Sequence, residues 1–332
     1  MENSKNTSRA TLYLCSGVAV FFTALFLSVQ YSYGIGTTTY SLAQYIWRTW
    51  NESEDMGHSM IVVPAALFLI YHDRERLLSI TPKTGWGGLV LLIIGLLIYW
   101  CGHLADVTFA GLLSLIVILA GTVWWLLGWE FLKALSFPIA FLIFAIPFPG
   151  LDSMVALPLR YLMSKLGVVI LNLLGVPVVL VGTGILSAPD AALHLATGQK
   201  FAVDVANPCS GIRSLFALMM VGALFAYFTL KGTWRKWALF LCTPPLAIAG
   251  NLARILMLTI GTVAFGSEFA LGKNPLEHPS WFHMLAGYLV FIVALLGMMG
   301  VASLLGRPPR VAPTPSLQTT DPDLLDHDED RY

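Results

Sequence analysis

Charged side chains are scarce in this 332-residue chain. Asp, Glu, Lys and Arg make up 11% of it, against 57% apolar residues. A water-soluble domain covers its surface with about 25% charged residues, so lipid rather than water must cover most of this molecule. No excess of either sign exists: 19 basic residues face 19 acidic ones, which argues against a general binder of nucleic acid or other polyanions. Cysteine is sparse too. Cys15, Cys101, Cys209 and Cys242 show no Cys-x-x-Cys or ligand-like spacing, so neither a disulfide framework nor a metal site is indicated, and no cofactor is expected. Cys15, Cys101 and Cys242 lie within or at the ends of apolar runs and read as small packing hydrophobes. No internal repeat is present.

What the chain has instead is long apolar segments. A helical span needs roughly 20 mostly apolar residues, and the candidates are 11–31, 59–73, 86–103, 107–127, 130–149, 210–230, 235–263 and 282–305. The expected class is an all-α integral membrane protein of about eight transmembrane helices. The first run, after Lys5 and Arg9, is long for a signal-peptide core and reads as a retained helix. A further stretch, 154–181, is broken by Pro158, Arg160, Ser164, Lys165 and Pro177. It reads as an amphipathic helix in the interface. The residues after it alternate apolar and polar between Gly and Pro, the pattern of short strands or an extended lid. The domain expected is a single membrane unit over 1–306 with an extracytoplasmic insert at about 150–209. A Pro-rich and then acidic stretch, 307–332, reads as a disordered cytoplasmic tail.

Lys and Arg in the connections set the orientation. With the N-terminus inside and eight crossings, the inner segments hold Lys5, Arg9, Arg74, Arg76, Lys83, Lys133, Lys231, Arg235, Lys236, Arg307 and Arg310. The longer outer segments hold only Arg48, Arg160, Lys165, Lys200 and Lys273. Both termini are therefore expected in the cytoplasm, with the insert outside.

Against this apolar background three ionisable residues stand out, because such groups within or beside a span are expensive and mark function. Cys209 falls at the outer start of the sixth span, after Pro208 and before Ser210 and Gly211. A helix start carries partial positive charge, which favours the thiolate. Arg213 follows one turn on. Arg254 lies in the outer half of the seventh span, where exposing a guanidinium to lipid costs about 3 kcal/mol or more. Asn251, on the same face, is placed to hold the arginine or a substrate amide. His283 opens the eighth span with a side chain suited to acid–base work near neutrality. Its competitor is His278, and Gly287 is expected to bring its face close to a neighbouring helix. Singly, each has an ordinary reading: a packed thiol, an arginine bound to loop carbonyls, an interfacial anchor. Together a thiol, a fixed cation and an imidazole are the parts of a nucleophilic acyl-transfer site.

The runs CSGIRSL at 209–215, NLARI at 251–255 and HMLAGYLVF at 283–291 resemble the exosortase/archaeosortase family. These are membrane enzymes that process proteins bearing C-terminal sorting signals of the PEP-CTERM type. Weaker likenesses are AIPFP at 145–149, PLRYLMSKLG at 158–167, GVPVVLVGTGI at 175–185 and DMGHSMIVVP at 55–64. Two features depart from the family pattern: Met56, where an aromatic is common, so that His58 receives no role, and the acidic tail. The resemblance implies a catalytic triad of Cys209, Arg254 and His283, with Arg213, Asn251 and Ser210 in support. It also implies a bacterial inner membrane location with the site facing outward. The partners implied are protein substrates ending in a short motif, a transmembrane helix and a basic tail, the bilayer, and an acceptor nucleophile of unspecified identity. Two other classes compete: a transporter or channel whose Arg254 binds an anion at mid-membrane, and a membrane acyltransferase using His283 without a covalent step. A transporter would be expected to show paired inverted repeats, and a trapped thioester on Cys209 would exclude the acyltransferase.

Overall fold

The computed structural model describes residue 24 and residues 26–32, 39–52, 56–148, 152–204, 212–273 and 280–306. Residues 24 and 26–28 are helical, and after them comes a short antiparallel pair, β1 (Gln30–Ser32) and β2 (Thr39–Ser41), leading into α1 (Leu42–Glu52). Helix α1 starts with a reciprocal cap. The Gln44 N–H donates to Ser41 Oγ and the Ser41 N–H donates to Gln44 Oε1, the Ser-x-x-Gln arrangement that satisfies two orphan donors at a helix start. Then come α2 (Ser59–His72), α3 (Arg74–Leu78), α4 (Trp86–Leu104), α5 (Thr108–Leu127) and α6 (Trp129–Phe141), which ends in a 3-10 turn at Leu142–Ala145. Trp50 Nε1 and Ser59 Oγ donate to the carbonyls of Ala145 and Phe144, tying this turn to α1 and α2.

After a π turn at Asp152–Ala156 the chain forms α7 (Leu157–Leu173), a three-stranded antiparallel sheet of β3 (Val178–Val181), β4 (Gly184–Ser187) and β5 (Ala202–Asp204), and then α8 (Ile212–Thr229), α9 (Thr233–Phe265), α10 (Ser267–Ala270) and α11 (Trp281–Gly306). Among the described residues five helices are long and apolar enough to cross a membrane by length and composition: Trp86–Leu104, Thr108–Leu127, Met154–Leu173, Thr233–Phe265 and Trp281–Gly306. Helices α2 and α8 are shorter but equally apolar. Their outward side chains, such as Phe68, Leu97, Trp100, Leu241, Ile292 and Leu296, are exposed, as a lipid-facing surface requires.

The expected spans 59–73, 86–103, 107–127, 235–263 and 282–305 each coincide with a described helix, and 210–230 does over its described residues, whereas 130–149 is not one helix, because α6 ends at Phe141 and the chain continues in the 3-10 turn. The first expected span falls mostly outside the described residues, as does the tail. The segment read as an interfacial helix, Met154–Leu173, has enough apolar length to cross. One of its polar residues is turned inward: Ser164 is fully buried and its Oγ donates to the Thr183 carbonyl. The outward side carries Met154, Leu157, Leu162, Val169 and Leu173, with Lys165 among them. The expected strands are present. Of the cysteines, Cys101 is exposed on α4 and Cys242 is half-buried.

Lipid offers helices no hydrophobic drive to associate, so close backbone approach does much of the work. Helices α4 and α5 meet through glycines seven residues apart. A Cβ added at Gly88 would lie 2.1 Å from the Trp125 amide nitrogen, and one at Gly95 2.7 Å from Ile118 Cγ1. Across the seam, one at Gly121 would lie 2.5 Å from the Leu92 nitrogen. At the other side of the molecule α8, α9 and α11 bury Leu218, Leu239, Ala247, Val290, Ala294 and Met298 between them. Where α2, α8 and α9 end or begin together, the Tyr227 hydroxyl donates to Asp73 and the Lys236 ammonium sits 4.2 Å from the centre of the Tyr227 ring. Near it lie Arg74 and Arg76 of α3, Arg235 of α9, and Lys83 and Lys231 in the connections, so one end of the bundle is markedly basic. Replacing Gly88 by Val should part α4 from α5 at a cost on the order of 1–3 kcal/mol. The check is a lower yield of monodisperse protein and a lower Tm in detergent.

Candidate active site

The depth of the candidate site follows from helix register. A Cβ at Gly222 would touch the Thr243 side chain, so those residues of α8 and α9 lie level. The two helices run antiparallel. Ten residues toward the start of α8 and ten toward the end of α9 are each about 15 Å of rise, which brings Ile212 level with residue 253. The first residue of α8 and Arg254 of α9 thus share one depth. A second contact sets α11. A Cβ at Gly250 would lie 2.7 Å from the Val290 carbonyl oxygen. Counting seven residues each way puts His283 level with residue 257, within an arginine's reach of Arg254.

The side chains close that gap. Arg254 Nη2 lies 2.9 Å from His283 Nε2. A guanidinium has only donors and does not lose its proton, so Arg254 donates and Nε2 must present its lone pair. The imidazole is therefore neutral in this state, with its proton on Nδ1. That Nδ1 is buried and meets no hydrogen-bond partner among the described residues. The residue as a whole is 6% exposed. Two features hold it in place. Ser280 caps α11: the His283 backbone N–H donates to Ser280 Oγ, and that hydroxyl donates to the Ala270 carbonyl. One turn on, Ala286 is fully buried against the cluster of Met163, Leu171, Val178, Ile185, Ile255 and Leu258.

Asn251, one turn before Arg254, is buried at 1% exposure. It does not bond the arginine. Its Nδ2 donates to Met163 Sδ of α7 at 2.9 Å, and its Oδ1 is buried with no partner among the described residues. Half of the amide is thus spent on helix packing and the other half is buried without a partner among the described residues.

Of the residues expected at the site, the structure brings Arg254 and His283 into contact and places Asn251 beside them. Cys209 and Ser210 lie outside the described residues, as does the competitor His278. Cys209 precedes Ile212 by three positions in sequence. Arg213 stands in the first turn of α8. The expected role of Gly287 is not met: nothing lies within 4 Å of a Cβ there. The close approaches of α11 fall at Gly250 against Val290, Gly261 against Phe282 and Gly297 against Leu246. A sequence shows that a helix carries a glycine but not which face meets a neighbour. Met163 and Ser280 were missed. Ser280, three residues before His283 at the head of an apolar run, carried a legible capping signal.

A multi-pass helical membrane protein with an arginine–imidazole pair from two long helices is thus defined by fold and geometry. The family model for transmembrane exosortase (Exosortase_EpsH) matches residues 50–300, and the chain belongs to that family, one of membrane transpeptidases and proteases. Comparison with curated proteins and with solved structures finds no match.

Ser280→Ala removes both the helix cap and the tie to Ala270. It should cost about 1 kcal/mol of stability, read as a lowered Tm.

Proposed function

We propose that this chain is a membrane-embedded cysteine transpeptidase or protease that cleaves C-terminal sorting signals of exported proteins through a thioester on Cys209. The observation that carries the proposal is the Arg254–His283 contact at the depth where α8 begins, three residues in sequence beyond Cys209. Family membership supplies the class of reaction.

A substrate with a short recognition motif, one transmembrane helix and a basic cytoplasmic end docks from within the bilayer. The Cys209 sulfur attacks the scissile carbonyl. The thiol proton passes to the Nε2 lone pair of His283 as the guanidinium turns from the ring to the developing oxyanion, where a fixed cation in a water-poor site is worth most. The imidazolium then gives its proton to the leaving amine. The S–C bond has formed, the C–N bond has broken, and the membrane tail departs with an amino terminus. An acceptor amine attacks the thioester in transpeptidation, or water in proteolysis, and the thiol is restored. Arg213, Ser210 and the unpaired Asn251 carbonyl oxygen are assigned to holding the substrate backbone. The gathering of Lys and Arg at the opposite end of the bundle supports both termini lying in the cytoplasm of a bacterial inner membrane, with the site outward.

The reporter for tests is an exported protein ending in such a signal, taken from the same genome and co-expressed. Cys209→Ala should abolish its processing at unchanged enzyme level, since members of a catalytic unit are non-additive. Normal processing by this variant would end the nucleophile assignment. Arg254→Lys should slow processing about a hundredfold, because a point charge does not reproduce the planar fork; near-normal activity would leave only a generic cation. External thiol labelling that inactivates the enzyme, with protection by a substrate peptide, separates this reading from a transporter.

A further inference from the structure

The three-stranded sheet has two edges, and they are treated differently. At the start of β3 the Asn172 side chain closes the outer edge: its Nδ2 donates to the Val178 carbonyl and its Oδ1 accepts the Val178 N–H. An amide side chain thus stands where a neighbouring strand would.

Strand β5 has no such closure. It pairs with β4 through Leu186 and Ala202, Ile185 and Val203, and Gly184 and Asp204. The Ser187 N–H donates to the Phe201 carbonyl at 3.0 Å. Antiparallel partners alternate between bonded and non-bonded pairs, so Ile185–Val203 is the next bonded pair. The backbone groups of Ala202 and Asp204 therefore face away from β4. Among the described residues no strand pairs with that edge, and Ala202 is exposed. An unpaired edge is a template for another chain, and proteins that do not use one usually block it. Here the β3 edge is closed at Val178, whereas no side chain closes β5 among the described residues.

The sheet also sits at the candidate site. Val178 and Ile185 are buried against Ile255 and Leu258, in the turn of α9 that follows Arg254, and against Ala286, one turn after His283. A Cβ at Gly167 would lie 3.2 Å from Ile185 Cδ1 and 3.6 Å from Ile255 Cγ2, so β4, α7 and α9 converge there. The end of β5 is five residues in sequence from Cys209.

We propose that the open edge of β5 is the peptide-recognition subsite: the segment of the exported substrate preceding its membrane helix adds to the sheet as a fourth strand. Backbone bonds to the Ala202 N–H and carbonyl and to the Asp204 N–H fix its register beside Arg254 and His283. Strand addition of this kind takes affinity from main-chain bonds and specificity from alternate side chains. A conformation held by backbone bonds presents a peptide carbonyl at a set distance from the pairing residues, as a cleavage site requires. The proposal rests on the reading of the chain as a peptide-processing enzyme.

The test uses the full-length enzyme in nanodiscs and the same reporter. Ala202→Pro deletes an outward N–H that β4 does not use, a place where an edge strand accepts proline. Processing should fall about tenfold or more, mainly through KM, and Ala202→Val, which keeps the amide, should exceed it at least as much. Processing by Ala202→Pro at the wild-type rate would overturn the edge assignment while leaving Cys209→Ala to decide the nucleophile separately. The second measurement needs no enzyme variant. Peptides spanning the reporter's cleavage region, N-methylated at one residue at a time, are offered to the wild-type enzyme. Loss at every second position is the expected result; uniform loss, or none, would overturn the proposal.

Discussion

A guanidinium cannot be left among hydrocarbon chains, and this constraint organises the site half of the molecule. Arg254 stands about two-thirds along a 33-residue helix, too far from either end for an easy escape to water. The bundle answers by presenting the His283 ring from α11 at hydrogen-bonding distance. The bond dictates the state of the ring: the lone pair must be on Nε2. It dictates packing too, because the two helices must be level at this point, and the close approaches at Gly250 and Gly261 make them so. The serine cap at Ser280 fixes where α11 begins and hence which turn carries the imidazole.

The molecule divides its labour between rigid helices and a small sheet. Arg254 and His283 project from the two longest described helices, whose positions are set by buried aliphatic contact along their length. Helix α7 links the two parts: Ser164 holds the turn between β3 and β4, Met163 receives the Asn251 amide, and Asn172 caps β3. Ser164 and Asn172 thus attach the sheet to α7, and Met163 ties α7 to α9.

Much of this was legible in the sequence because hydrocarbon is an intolerant solvent. Long apolar runs marked most of the long helices, and an arginine within one had to matter. The glycine- and proline-punctuated stretch after Leu173 was legible as strands for the ordinary reason that turn residues separate them. Less was legible where the information lies in facing rather than composition. Polar interruptions in 154–173 suggested a helix with a wet side, whereas Ser164 turns inward to meet Thr183. Gly287 was assigned to a contact that Gly250, Gly261 and Gly297 make. Helix α1 is marked in the sequence only by its Ser-x-x-Gln cap, since eleven residues are too few to form a run of membrane length.

The link between Asp73, Tyr227 and Lys236 bears on how the bundle can move. It fastens α2, α8 and α9 to one another at the end remote from His283. Helices clasped at one extremity behave like the arms of tongs: small angular play at the clasp becomes several times larger displacement at the tips.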